Sequence, residues 1–138
     1  MQDAIFVNKL TVDGSIASSQ NTLLKAPFYY GAAAINIAAG TGGAISLLCY
    51  KNTINSDAGG DAFTLASGLC VGQMKYILFV ADGGGDAVVT GAFPGGDNTL
   101  TFSDAGEYAL LMWDGTDWQP LSLGSEGTFT DAPVLSTV

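Results

Sequence analysis

From residue 74 onward one device recurs: a short apolar run, then a turn made of glycine and aspartate. Met74 to Asp82 is rich in aromatic and β-branched residues, which reads as a strand. Gly83, Gly84 and Gly85 end it, because a glycine run admits backbone angles that other residues avoid. Asp86 to Thr90 resumes as a strand, and Phe93-Pro94-Gly95-Gly96-Asp97 turns the chain again. Asn98 to Ser103 alternates, with Leu100 and Phe102 on one face. After the turn Asp104-Ala105-Gly106, Glu107 to Trp113 is a strand, Asp114-Gly115 a hairpin signal, and Asp117 to Leu123 the return strand. Pro120 cannot donate to a ladder, so that return strand belongs at a sheet edge.

Two of these strands are apolar on both faces. Glu107 to Trp113 carries Tyr108, Leu110 and Met112 on one side and Ala109, Leu111 and Trp113 on the other. Met74 to Ala81 carries Met74, Tyr76, Leu78 and Val80 opposite Ile77, Phe79 and Ala81, and only Lys75 breaks the pattern. An antiparallel strand with one wet face alternates apolar and polar. A second apolar face therefore calls for cover, from another layer of this chain or from another copy of it. The composition points the same way. Only 12% of the 138 residues are charged, against about 25% in ordinary domains. A surface so poor in charge is expected to be buried against partners, most simply identical ones.

The front half is less regular. Ala4 to Val12 reads as a strand containing Phe6, and residues 13–21 as turn and loop. Pro27-Phe28-Tyr29-Tyr30 is an aromatic cluster, which would either anchor an extended arm on a partner or plug the domain's own core. Residues 32–39 are expected to be a strand, because Ile35 and Ile37 repeat with period two. Ala44 to Tyr50 is read as a strand, 51–60 as a polar connection, and Asp61 to Leu65 as a strand. Gly59-Gly60-Asp61 is weakly echoed by Gly95-Gly96-Asp97, too little to claim a repeat. The sum is eight or nine strands: an all-β, antiparallel sandwich or jelly-roll-like single domain at 31–123. An N-terminal arm (1–30) precedes it, and a C-terminal tail (124–138) follows, with an edge strand around Val134 and Leu135.

The residue inventory excludes most chemistry. With no histidine, Ser-His-Asp and Cys-His catalysis and histidine zinc sites are unavailable. Cys49 and Cys70 are too few for a four-thiolate zinc site or a disulfide framework, and both read as buried reduced thiols. No phosphate loop or dinucleotide fingerprint is present. Net charge is −9, with four basic residues and no arginine, which disfavours nucleic acid and anionic membranes alike. The N-terminus carries an acid where a signal peptide wants basic residues, so assembly in a cytosol is expected. Asp114 and Asp117 between Trp113 and Trp118 could serve a sugar, and Asp82 and Asp86 around the glycine run could hold calcium. Turn aspartates explain both sets more simply. No catalytic, cofactor or metal residue is assigned, and the chain is not expected to be an enzyme.

The order of pieces resembles a β-structured module of tailed-bacteriophage virion proteins, of the marine and cyanophage kind. The pieces are Ala44-Ile45-Ser46-Leu47, Thr64-Leu65-Ala66-Ser67-Gly68, Gly72-Gln73-Met74-Lys75-Tyr76-Ile77, residues 82–90, 95–102 and 106–118, a match over roughly 35–123. The resemblance implies a virion structural protein, most like a capsid decoration (cement) protein; a tail fibre, spike or receptor-binding component is the alternative. It further implies a homotrimer on the capsid exterior, with the major capsid protein and itself as partners. On that reading Phe6, Phe28, Tyr29 and Tyr30 touch the capsid. Tyr76, Leu78, Tyr108, Leu110, Met112, Trp113 and Trp118 then serve the trimer or the core.

Overall fold

The computed structural model describes residues 35–126 and 131–138. The arm, with Phe6, Phe28, Tyr29 and Tyr30, lies outside the described residues. Two five-stranded sheets pack face to face. The first runs β1 (Ile35–Ile37), β3 (Lys51–Asn55), β5 (Met74–Ala81), β8 (Glu107–Trp113) and β9 (Trp118–Ser125) in spatial order. The second runs β10 (Val134–Ser136), β7 (Thr99–Phe102), β6 (Ala87–Thr90), β4 (Asp61–Thr64) and β2 (Gly43–Ala44).

Through the first six strands the chain crosses from layer to layer at every step, so each strand pairs with the one two places on. Those pairs, β1/β3, β3/β5, β2/β4 and β4/β6, are all parallel. A parallel pair needs a crossover connection, and here the crossover contains a strand of the opposite sheet. From β7 the chain doubles back, and β6/β7, β5/β8, β8/β9 and β7/β10 are antiparallel. The expected all-β sandwich is thus present, but with mixed sheets instead of antiparallel ones. A jelly roll is an antiparallel arrangement, and that detail is not borne out.

Period-two alternation sets the core. Ile54, Ile77, Phe79, Ala109 and Leu111 of the first sheet meet Phe63, Ala87, Val89, Leu100 and Phe102 of the second, all fully buried. Phe79 and Phe102 meet edge to face at 6.5 Å, a favoured aromatic geometry. Pro120 lies on β9, which is the edge strand its missing N–H requires. A register shift between Leu110 and Leu111 leaves Leu121 unpaired opposite them, 51% exposed, as a bulge. The expected edge strand at Val134 and Leu135 is β10.

Three local expectations are corrected. Ala44 to Tyr50 is not one strand: β2 ends at Ala44, Cys49 makes only an isolated bridge, and between them the chain bends, where the Ser46 hydroxyl accepts the Leu48 N–H at 3.2 Å. Residues 51–55, expected to be a connection, form β3 inside the sheet. Its sequence, Lys-Asn-Thr-Ile-Asn, hides the strand because Ile54 is its one large apolar inward residue, with Asn52 beside it on the same buried face. Finally, Cys49 is buried but Cys70 is exposed, since it sits in the turn before β5 and not in a strand. The described residues hold ten strands, one or two more than the sequence suggested.

Candidate functional site

The outward face of the first sheet is the most unusual surface on the described chain. The register sets Met74 beside Met112, Tyr76 beside Leu110, and Leu78 beside Tyr108, all on the side turned away from the second sheet. These six side chains are half-buried. Among the described residues no further layer covers them, and Val80 at the end of β5 is 49% exposed. Tyr76 is the centre of the face. Its ring stacks against Tyr50 at 6.2 Å and Tyr108 at 5.6 Å, and the Lys51 ammonium stands 5.4 Å from its centroid. Its hydroxyl donates to the Glu126 carboxylate at 2.5 Å. Burial, and then the hydrogen bond and charge of Glu126, push the phenol well above the ordinary tyrosine range. The result is a charge-poor plateau with one lysine and one glutamate beside its central ring.

Trp113 and Trp118, grouped with these residues in the sequence reading, lie on the opposite face. They pack at 5.4 Å in the core, and the Trp118 Nε1–H donates to the Ala66 carbonyl at 2.9 Å. Neither ring is available to a sugar. The aspartates beside them serve the turn: Asp114 Oδ1 accepts the N–H of Thr116 and of Asp117, each at 2.8 Å, and Oδ2 accepts from Gln119 at 2.8 Å. Those backbone bonds hold the Asp114 carboxyl below its usual range. Asp82 likewise caps its own glycine turn, accepting the Gly84 N–H at 2.6 Å. Among the described residues no group of three or more acidic or cysteine side chains is placed to hold a metal ion.

A second cluster was visible in the sequence only as the lysine that interrupts β5. Lys75 shares the parity of Ile77 and Phe79, so it points inward, and it is fully buried. Its Nζ donates to the carbonyls of Ser46, at 2.5 Å, and Cys49, and approaches Asn52 Oδ1 at 3.3 Å. The buried Cys49 thiol donates to the same Asn52 oxygen at 3.3 Å. Asn52 Nδ2 finds no partner among the described residues. Burial, without a carboxylate to offset it, pulls the Lys75 amine below the ordinary lysine range. The lysine secures the bent segment 46–49 against the sheet. Gln73 completes the fastening, accepting from the Leu69 N–H at 2.6 Å and donating to the Leu47 carbonyl at 2.8 Å. The signal for this cluster was a lone charge at an inward position of a period-two pattern. Its partners were beyond reach because they lie 23 to 29 residues away in sequence.

No family model matches this chain, and no curated protein matches it.

Proposed function

We propose that this chain is a non-enzymatic structural protein of a virion, which decorates and stabilises the capsid exterior as a homotrimer. The observation that carries the reading is the plateau of Met74, Tyr76, Leu78, Tyr108, Leu110 and Met112. A sheet face this apolar is unfavourable in water and is stabilised when a partner covers it. The six side chains occupy two neighbouring strands over five residue pairs, roughly 10 Å by 17 Å of sheet, about 170 Å² in plan. A stable interface takes roughly 800 Å² from each partner, so the plateau would be its apolar centre and the flanking strands of the same face its rim. The resemblance supplies the kind of assembly, and the plateau supplies the surface through which copies meet. A decoration protein needs contact area and affinity for the assembled shell, which it stabilises by mass action. The acidic balance of the chain would keep decorated particles apart.

Two measurements test this. Light scattering after gel filtration should give three times the 14.1 kDa chain mass for the intact protein and a monomer for Leu110→Asp. A monomeric intact protein removes the trimer from the reading. Quantitative mass spectrometry of purified virions should then find many copies in a simple ratio to the shell protein. A handful of copies would move the chain to the tail or its fibres, and none would remove it from the virion.

A further inference from the structure

We propose that the buried cluster of Lys75, Asn52 and Cys49 is a self-modification site, at which Lys75 Nζ and the Asn52 carboxamide condense to an isopeptide cross-link between β5 and β3.

The geometry is that of an amine held against an amide. Lys75 Nζ donates to the backbone carbonyls of Ser46 and Cys49, and its third contact is to the Asn52 carboxamide oxygen Oδ1, 3.3 Å away. Loss of the proton on the Asn52 side would leave both carbonyl hydrogen bonds in place and free a lone pair beside the carboxamide, whose Cγ carries that oxygen. Neutrality is favoured by the site, since the amine is fully enclosed and no carboxylate among the described residues pairs with it. The Cys49 thiol donates to the same Oδ1 at 3.3 Å, which polarises the carbonyl and would stabilise the oxyanion formed there. Both side chains are locked by packing inside one sheet, so the reaction proceeds between groups already oriented.

The step balances without an oxidant or co-reactant. The Nζ lone pair attacks Cγ, the Nζ–Cγ bond forms, the Cγ–Nδ2 bond breaks, and Nδ2 leaves as ammonia with the proton shed by Nζ. The product removes two unfavourable features together. The buried amine becomes an uncharged amide, and the Nδ2 group that has no partner among the described residues departs. The new amide oxygen keeps its Cys49 donor. β3 and β5 are parallel neighbours, so the link would fasten the middle of the first sheet across a chain crossing.

Intact-mass spectrometry of the full chain decides the matter. The expected mass lies below the sequence mass by one ammonia, about 17 Da. Trypsin should also fail to cut after Lys75, and the peptide spanning Asn52 to Lys75 should resist internal fragmentation. Lys75→Arg and Asn52→Ala should each restore the full sequence mass expected for that variant. The wild-type reading stands even if those variants do not fold. An unshifted mass with normal cleavage after Lys75 overturns the proposal. So does a gain of one oxygen with loss of two hydrogens, which would mark a nitrogen–oxygen–sulfur bridge from Lys75 to Cys49.

Discussion

Trp118→Ala tests whether the sandwich is closed at the hairpin end by a single residue. Trp118 is fully buried, packs against Trp113 at 5.4 Å, and donates through Nε1 to the Ala66 carbonyl at 2.9 Å. Its own backbone N–H reaches the Ala92 carbonyl at 2.8 Å, so one residue joins the edge strand to both neighbouring loops. Truncating a buried aromatic costs about 3–5 kcal/mol through lost transfer energy and the cavity left behind. The indole hydrogen bond contributes about 1 kcal/mol, and the aromatic pair about 0.5–1.5 kcal/mol. Allowing for overlap between these contributions, the expected loss is about 4–6 kcal/mol, a large part of the roughly 5–15 kcal/mol that stabilises a domain. Urea unfolding followed by circular dichroism measures it. Trp118→Phe keeps most of the volume but loses the indole donor, and should fall between wild type and alanine. A loss for Trp118→Ala below about 1.5 kcal/mol with an unchanged urea slope would refute the reasoning, since the site would then close over without it.

Further outcomes follow from the same contacts. The Tyr76 phenol ionises later in the fold than in the unfolded chain, so above about pH 10 the unfolded state holds fewer protons and stability falls as pH rises. Tyr76→Phe should flatten that decline, as read from urea midpoints across the alkaline range. Gly85→Ala would set a methyl 2.3 Å from the Gly60 nitrogen and 2.8 Å from the Asp57 carbonyl oxygen, backbone atoms that cannot move aside independently. It should destabilise by about 1–3 kcal/mol in thermal unfolding, the ordinary cost of overpacking. Asp114→Ala removes the acceptor for two turn N–H groups, and should lower the melting temperature by less than Trp118→Ala does. The Asp114 contribution is present above the ordinary carboxylate pKa and is lost as pH falls through the depressed folded value.

The sequence by itself determined the β class, most strand positions from 61 onward, the edge placement of β9 and the turn role of the aspartates. Each of these rests on local chemistry: period-two alternation, glycine and aspartate at turns, and the donor that Pro120 lacks. It also showed that β5 and β8 are apolar on both faces, but not which face is inside. Tertiary structure decided that, putting Trp113 and Trp118 in the core and Tyr76, Tyr108 and Leu110 on the outer plateau. Strand direction was likewise decided only in three dimensions. A strand's residue pattern is the same whether its neighbour runs parallel or antiparallel, and here the layer-to-layer crossings of the first six strands impose parallel pairing. β3 escaped the sequence reading because its inward face holds an asparagine that suits Lys75 and Cys49, not the hydrophobic layer. That cluster exists only because the fold brings residues 46, 49 and 52 onto residue 75. No local pattern encodes such a meeting, since side chains far apart in sequence acquire a common environment only when the sheets close.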